Sequence, residues 1–371
     1  MSLIAIAVAA VLIVYILLVL LMSAGWLRAL KPAIVTMQVH HPVSVIVAVR
    51  NEAQGIIILL QQLARQSYTS FEVIVVDDHS TDGTTDLVKS FIKTDLRFHL
   101  LKNNGTGKKR AITTGVEAAA GVVIVTTDGD CEVNENWLAH INGYFQDDKI
   151  KMVFGGVALR NDHTLFSKMQ VIEFASLIGS GAALHAFGYP VMCNGANLAF
   201  RKDAFRAVNG YEDNFNVASG DDEFLMRKII LRSPSSLAFM RDESTIVSTT
   251  TSTTFEKFIQ QRLRWAGKWR HNQSYMAKGM AMLIWLVQLC LVLAFILLVV
   301  DPGSRMVLGF LLMIRFFVEA WFLYPVSGFL KVSWNWTAYL LLQVVYPVYV
   351  VFIGLFSNFM PVNWKERPIT P

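Results

Sequence analysis

The chain has 371 residues, of which 54% are hydrophobic, and its formal net charge is +5. This length allows one large domain together with membrane elements, and the hydrophobic fraction is high for a soluble protein. Much of the positive charge is local, because residues 257–278 contain six basic residues and no acidic one. A cluster of this kind fits a membrane surface and argues against a nucleic-acid partner.

Uncharged apolar segments lie towards both ends of the chain. Residues 2–22, 279–300 and 337–360 are each long enough to cross a hydrocarbon core, which takes roughly 20 residues. The first segment is predicted to be an anchor rather than a signal peptide, because it lacks a basic leading region. A fourth candidate, residues 306–324, contains Arg315 and Glu319. These two charges predict either a structural ion pair or a contact with an acceptor.

Basic residues flank the region between the first two apolar segments. Arg28 and Lys31 follow the first, and the cluster at 257–278 precedes the second. Positive flanks favour the cytoplasmic side, so we expect a multi-pass protein of the plasma or bacterial inner membrane with a cytoplasmic domain. Three cysteines without disulfide or metal spacing are typical of a reducing compartment. The predicted boundaries are 1–26 for a transmembrane helix, 27–278 for the cytoplasmic domain and 279–371 for about three further spans.

Strands and helices alternate through the first half of the cytoplasmic region. Strands are predicted at residues 43–49, 71–76 and 98–101 and from residue 122, with helices at 53–66, 86–93 and 108–120. This alternation is typical of an α/β fold with a mostly parallel, Rossmann-like sheet, whose ligands bind at the carboxyl ends of the strands. Residues 152–159 are again strand-like. Residues 165–186 predict a helix that lies at the membrane interface or packs on the sheet.

Two carboxylates follow the apolar run that begins at residue 122. Asp128 and Asp130 are separated only by Gly129, so both can turn towards one ion. Hard cations such as Mg2+ or Mn2+ take carboxylate oxygens and commonly bridge phosphates. The pattern therefore predicts a metal site for a diphosphate-bearing substrate, the alternative being a polar loop.

Further polar motifs occur in a fixed order along the chain. They are Asn51-Glu52, Asp77-Asp78, Lys108, Asp128-X-Asp130, Asp221-Asp222 and Gln261-X-X-Arg264-Trp265. In this order, between apolar segments, they resemble the membrane-embedded family 2 glycosyltransferases, which include cellulose, chitin and hyaluronan synthases and ceramide glucosyltransferases. The resemblance covers residues 43–270. It implies a GT-A fold, a nucleotide-sugar donor that is more often UDP-linked, and an inverting transfer.

The resemblance also implies which residues bind the donor. Residues expected to border the nucleoside, base and ribose are Val49, Asn51, Glu52, Asp77 and Asp78; carboxylates there accept hydrogen bonds from base N–H groups and sugar hydroxyls.

Lys108 is expected at the nucleotide phosphates. Its neighbours Lys109 and Arg110 are alternatives, but they are more typical of a solvated helix face. Asp130 is expected to be the main metal ligand, with Asp128 near the metal or the ribose and Gly129 in the same donor-binding motif.

The remaining motifs are assigned to catalysis. Asp222 is expected to be the general base, which must reach an acceptor hydroxyl, and Asp221 is the alternative. Gln261, Arg264 and Trp265 complete the motif. The arginine suits a departing diphosphate and the tryptophan offers a flat face to a sugar. Arg264 alone could also be a positive membrane flank.

The acceptor side is less specified. Asn194 and Gly195 are expected to line it, with a tight turn as the alternative. Residues 255–275 predict an amphipathic helix on the bilayer surface. The small membrane part favours transfer to a membrane lipid. The alternatives are a processive synthase acting on a growing glycan and a catalytically inactive scaffold.

Overall fold

The computed structural model of the chain describes residues 1–30, 39–160, 163–217, 219–268, 274–357, 359–365 and 367–369. Contacts divide the chain into two compact units. The helical unit consists of residues 1–29, 161–189 and 251–371, and the sheet unit of residues 30–160 and 190–250. The predicted boundaries placed 161–189 and 251–278 with the cytoplasmic domain instead. Lys31, and residues 269–273 of the predicted surface helix, lie outside the described residues.

Strands and helices alternate through the first part of the chain, and long helices dominate its end. In chain order the elements are α1 (Leu3–Ala29), β1 (Val43–Val49), α2 (Ile56–Ala64), β2 (Phe71–Asp77), α3 (Thr84–Ile92), β3 (Phe98–Lys102), α4 (Lys108–Ala118), β4 (Val123–Asp128), α5 (Trp137–Tyr144), β5 (Met152–Gly155), β6 (Val157–Arg160), α6 (Leu165–Ala186), β7 (Leu198–Arg201), α7 (Lys202–Ala207), α8 (Asp221–Arg232), β8 (Leu237–Met240), β9 (Val247–Thr250), α9 (Phe255–Gly267), α10 (Tyr275–Val300), α11 (Arg305–Phe329), α12 (Trp336–Phe356), β10 (Val362–Trp364) and β11 (Arg367–Ile369).

The sheet unit is built on a seven-stranded sheet in the order β3-β2-β1-β4-β7-β5-β8. The first four strands are parallel, and β7 runs antiparallel to both β4 and β5. Their apolar runs are continuous because both faces of the central strands are buried. The predicted mostly parallel sheet is confirmed.

Strand register brings the polar strand ends to one edge. Val49 of β1 pairs with Asp77 of β2, and Ala48 pairs with Asp128 of β4. Asp128 is thus the last residue of its strand and not the first of the loop. Ligands of doubly wound sheets bind at this carboxyl edge.

A second, two-stranded sheet of β6 and β9 lies in the same unit. An isolated bridge joins Glu132, two residues after Asp130, to Ser248 of β9. This bridge brings β9 alongside the segment that follows β4.

Among its described residues, the helical unit contains four helices long and apolar enough to cross a membrane. They begin at residues 3, 275, 302 and 336, and the third includes a short 3-10 turn at 302–304 before α11. The predicted segments 279–300 and 306–324 lie within two of them, and the predicted segments 2–22 and 337–360 overlap the other two. The helix α1 packs against α6, α10 and α11, and α12 packs against α6, α9 and α10.

Small residues allow close packing of these helices. A Cβ on Gly179 of α6 would lie 2.7 Å from Val326 of α11. A Cβ on Gly25 of α1 would lie 2.7 Å from the Ala183 carbonyl oxygen of α6. Such contacts are typical of helix association in lipid. The helix α6 had been predicted either to lie at the membrane interface or to pack on the sheet. In the structure it packs against α1, α11 and α12 of this unit.

The two charges inside α11 form an ion pair. Arg315 Nε donates to Glu319 Oε1 over 2.8 Å, and Tyr15 OH of α1 donates to the same oxygen over 2.6 Å. Both charged side chains are buried. The structure thus contains the structural ion pair, which was one of the two interpretations of this sequence pattern.

Candidate active site

Lys108 connects two of the predicted acidic motifs of the sheet unit. Its Nζ lies 2.6 Å from Asp128 Oδ1 and 3.4 Å from Asp221 Oδ2. Burial opposes the lysine charge, but the carboxylates of Asp128, Asp221 and Asp222 outweigh it and raise the pKa of Lys108 above its ordinary value. Burial also disfavours ionised Asp221, yet Lys108 and Lys109 hold the pKa of Asp221 below its ordinary value. Three motifs that are far apart in sequence therefore meet at one ammonium group.

Hydrogen bonds to Asp78, the residue after β2, fix the position of Lys108 at the start of α4. Both carboxylate oxygens of Asp78 accept a hydrogen bond from the Gly107 amide at 3.0 Å, and one of them also accepts from Asn103 Nδ2 at 2.7 Å. Gly107, with φ of 93°, immediately precedes α4. Asp78 is buried and holds the loop that begins α4. Its predicted contact with the base or ribose stays a prediction.

The other predicted donor residues line the loops after β1 and β2. Asn51 has a positive φ of 52°, and its Oδ1 accepts from the Thr81 amide at 2.9 Å. The Glu52 amide donates to Thr84 Oγ1 at 2.8 Å. Asp77 Oδ1 accepts from the Ser80 amide at 3.2 Å. These bonds tie the two loops together beside Val49, at the edge where a ligand is expected.

The Asp-Gly-Asp motif requires its glycine. A Cβ on Gly129 would lie 2.9 Å from Glu52 Cγ and 3.1 Å from Val49 Cγ1. Asp130 Oδ2 accepts a hydrogen bond from Thr249 Oγ1 of β9 at 3.0 Å. The turn after β4 is therefore packed between the β1 loop and β9, which fixes the direction of Asp130.

The donor atoms of Asp128, Asp130 and Cys131 lie within 4.8 Å of one another. Burial and the carboxylates of Asp128 and Asp130 raise the pKa of the Cys131 thiol. Sulfur is also a soft donor, which hard divalent ions do not favour. The two carboxylates remain, and oxygen donors suit a hard divalent ion. The donor chemistry thus fits Mg2+ or Mn2+. Sequence spacing gave no indication that Cys131 belongs to this group.

The acidic pair opens α8. Gly220 precedes the helix with φ of 78°, and Asp221, Asp222 and Glu223 occupy its first turn, where acidic charge is favourable. Asp222 Oδ2 accepts from the Gly195 amide at 3.0 Å, and its Oδ1 accepts from the Glu223 amide at 2.7 Å. The backbone therefore fixes the orientation of Asp222.

Gly195, one of the two predicted acceptor-side residues, contacts this acidic pair. A Cβ on Gly195 would lie 2.8 Å from Asp221 Oδ2 and 3.6 Å from Asp222 Cβ. Asn194 Oδ1 accepts from the Ala196 amide at 3.0 Å, which closes a tight turn. Gly195 thus permits close approach of its backbone to the acids. Contact with a substrate stays a prediction.

Lys109 was interpreted from sequence as part of a solvated helix face, and that interpretation is wrong. The side chain is buried, and its Nζ donates to the carbonyl oxygens of Asn214, Val217 and Ser219 at 2.8, 2.7 and 3.0 Å. All three ammonium donors are used. These carbonyls belong to the segment that leads into Asp221. The neighbouring Arg110 is exposed, and its guanidinium lies 4.3 Å from the Phe215 ring centroid.

The sequence contained a signal for this burial. Lys109, Ile112 and Val116 are spaced by three and four residues, and all three lie on the buried side of α4. A charged residue in phase with an apolar stripe predicts a buried charge with partners.

Comparison with known proteins identifies the domain that carries these residues. Residues 44–208 match the family model for glycosyl transferase family 2. The chain carries a family 2 glycosyltransferase domain. The resemblance inferred from the motifs is thereby confirmed.

Relatives of the glycosyltransferase domain match only part of the chain. Poly-beta-1,6-N-acetyl-D-glucosamine synthase of Staphylococcus epidermidis is 27% identical over 174 residues, which are 46% of this chain and 42% of that protein. Glycosyltransferase AglE of Haloferax volcanii is 33% identical over 118 residues, which are 31% of this chain and 39% of that protein. The chain thus matches less than half the length of these relatives.

A solved structure resembles nearly the whole chain. It is the mannosyltransferase PcManGT from Pyrobaculum calidifontis in complex with GDP-Man and Mn2+, with a TM-score of 0.60 and 19% identity over 96% of this chain and 98% of that one. At this identity the likeness concerns the fold alone. Together with the strand order, it confirms the predicted GT-A fold.

The Gln-X-X-Arg-Trp motif lies on α9, in the helical unit. Gln261 Oε1 accepts from Arg262 at 2.5 Å, and the Trp265 ring centroid lies 6.0 Å from that of Phe174 of α6. Arg264 is in the last turn of α9. The predicted catalytic roles of Gln261, Arg264 and Trp265 stay predictions. The motif had not drawn attention to Arg262, which is buried between them.

Proposed function

We propose that this glycosyltransferase moves a sugar, with inversion, from a nucleotide-sugar donor, with UDP favoured, to a membrane lipid acceptor. The main structural support for this proposal is the set of contacts made by Lys108. Lys108 joins Asp128, at the end of β4, to Asp221, at the start of α8, beside an oriented Asp222. Acidic groups for a metal and for a base thus share one edge of the sheet unit.

Asp222 is proposed as the general base. Its neighbour Asp221 lies 3.4 Å from the Lys108 ammonium, and that ion pair lowers its ability to take a proton. Both oxygens of Asp222 accept backbone hydrogen bonds, from the Gly195 and Glu223 amides, and these bonds fix the direction of the carboxylate. An acceptor hydroxyl within hydrogen-bond reach would pass its proton to this carboxylate.

Asp130 and Asp128 are proposed to hold a divalent ion, Mg2+ or Mn2+. Support comes from the two grouped carboxylates and from the family, because the structurally similar mannosyltransferase was solved with Mn2+. When bound, the ion supplies positive charge that neutralises the diphosphate leaving group. Lys108, already on Asp128, is placed to add a second positive charge to nucleotide phosphates.

The residues of α9 are proposed to act on the leaving group and the sugar. Arg264 stabilises charge on the departing diphosphate through its planar guanidinium, with Gln261 beside it, and Trp265 offers a face to the sugar ring. The nucleoside is proposed to lie against the loops of Val49, Asn51-Glu52 and Asp77-Asp78. Because Gly129 has no side chain, its backbone can lie close to Glu52 in this region.

The lipid acceptor is proposed from the membrane part. Four helices of the described residues are apolar enough to cross a bilayer, and basic residues flank the region between the first and second. We propose a multi-pass membrane protein with its sheet unit in the cytoplasm. The second candidate is a polysaccharide or oligosaccharide synthase, because relatives over 46% of the chain are named as poly-beta-1,6-N-acetyl-D-glucosamine synthases.

The test uses the full chain in liposomes containing total membrane lipid of the host, with Mn2+ or Mg2+. Radiolabelled UDP-GlcNAc, UDP-glucose and GDP-mannose are supplied in turn, and products are partitioned between organic solvent and water. Label in the organic phase at one or two sugars per lipid supports the lipid acceptor. Label in a high-mass product shows a synthase instead. No transfer from any nucleotide sugar, with UDP and GDP binding also absent, would contradict the proposed function.

A further inference from the structure

Arg262 is a buried cation inside the Gln-X-X-Arg-Trp motif, and its partner is on another helix. Its Nε donates to Glu173 Oε1 of α6 at 3.0 Å, and its Nη2 donates to the second oxygen of the same carboxylate. Both side chains are buried. This is a bidentate arginine–carboxylate pair, which fixes orientation as well as distance.

A third helix joins the same carboxylate. Tyr349 OH of α12 donates to Glu173 Oε1 at 2.7 Å. The ring of Tyr349 also packs edge-on against Phe258 of α9, with centroids 5.6 Å apart. One glutamate therefore ties α9 to α6 and to α12, a candidate membrane span.

The other face of Arg262 contacts the motif itself. Its Nη1 donates to Gln261 Oε1 at 2.5 Å. Its guanidinium carbon lies 4.4 Å from the ring centroid of Trp265 and 4.4 Å from that of Phe258. Two of the three proposed catalytic residues of α9 thus rest directly on Arg262, one through a hydrogen bond and one through a cation–π contact.

Stability alone is a weak reason for this arrangement. Removing two charges from water costs about as much as their attraction returns, so apolar residues of similar size would stabilise the helices equally well. Apolar residues would not, however, fix the orientation of the neighbouring side chains. The guanidinium presents its donors in a rigid plane, and it uses them on Glu173 and Gln261 while its faces meet two rings.

We propose that Arg262 is a positioning residue, which Glu173 and Tyr349 hold in place so that Gln261 and Trp265 are oriented for sugar transfer. This inference rests on the proposed function for its kinetic consequence. Its structural consequence, an ordered α9, does not depend on that function.

The helical unit contains a matched control. Tyr15, Glu319 and Arg315 form a similar buried cluster, in which a tyrosine hydroxyl and an arginine Nε share one glutamate oxygen. Those contacts involve none of the motif residues. Tyr349→Phe and Tyr15→Phe therefore delete equivalent hydroxyls. Arg262→Lys and Arg315→Lys likewise keep the charge and remove the fork.

The experiment measures two properties of the full chain in liposomes. Backbone hydrogen exchange is followed in residues 255–267. Sugar transfer and sugar hydrolysis are measured with whichever of UDP-GlcNAc, UDP-glucose and GDP-mannose gives the highest wild-type turnover. The ratio of transfer to hydrolysis does not depend on the fraction of folded protein, so a purely structural defect leaves it unchanged.

Tyr349→Phe should speed exchange in α9, lower transfer about tenfold and shift the ratio towards hydrolysis, with the donor KM within twofold of wild type. Arg262→Lys should lower transfer about a hundredfold. Both control variants should stay within twofold of wild type. The inference is overturned if Tyr349→Phe matches Tyr15→Phe in the ratio, or if α9 exchange is unchanged. A wild-type chain that transfers no sugar and binds neither UDP nor GDP instead refutes the proposed function, and the exchange comparison then tests the ordering of α9 separately.

Discussion

Replacing Lys109 by methionine tests whether the buried ammonium group anchors the segment that precedes Asp221 and Asp222. Methionine keeps the unbranched shape of the side chain and removes its three donors. The carbonyls of Asn214, Val217 and Ser219 would lose bonds of 2.7 to 3.0 Å. Since these residues lead into α8, both stability and the placement of Asp221 should suffer.

The size of the stability loss follows from the contacts. A hydrogen bond to a charged group contributes about 1.5–3 kcal/mol, and ordering the lysine side chain costs up to about 2 kcal/mol. Burial of the ammonium group offsets a further part. We expect the free energy of unfolding to fall by about 3 kcal/mol. For a unit of roughly 150–250 residues this lowers Tm by about 6–12 °C.

The assay is the thermal unfolding of purified protein in detergent, with Arg110→Met as the control. Arg110 is adjacent, exposed and cationic, and its replacement removes the contact between the guanidinium and the Phe215 ring. Its variant should unfold within about 2 °C of wild type, as is usual for surface changes. Equal Tm values for the two variants would show that the three carbonyl bonds do not anchor this segment.

Three further outcomes are expected. Asp222→Asn should lower sugar transfer by at least about a hundredfold while UDP binding stays within twofold, because only the proposed base is lost; normal turnover would move that role to another residue. In wild type, Mn2+ should increase the affinity for UDP, and EDTA should abolish that increase. Asp130→Ala should abolish it as well. If calorimetry shows the same metal response in this variant as in wild type, Asp130 is not a metal ligand. The side-chain hydrogen bond from Arg97 holds the pKa of Asp95 below its ordinary value. Its ionised form therefore adds stability above about pH 4 that is lost as the pH falls through the folded pKa, so the Tm gap between wild type and Asp95→Asn should shrink on acidification; a gap that widens in acid would contradict this assignment.

Local pattern was sufficient for the framework of this protein. Apolar runs predicted the parallel strands because both faces of a central strand are buried, and long uncharged stretches predicted the apolar helices because spanning length is set by composition. The order of the polar motifs resembles that of family 2 glycosyltransferases, and the family model that matches residues 44–208 agrees with this resemblance. Candidate residues such as Asp128, Asp130 and Asp222 were accordingly named from sequence.

Only the tertiary structure decided what each polar group contacts. Residues 78 and 107, or 173 and 262, are distant in sequence, so no periodicity pairs Asp78 with the Gly107 amide or Glu173 with Arg262. Lys109 and Arg110 are adjacent and similar in charge, yet the helical turn buries one and exposes the other. The sequence determined which chemical groups lie near the ends of each element. Packing determined which of them bind one another, because hydrogen bonds and ion pairs depend on distances that chain order does not specify.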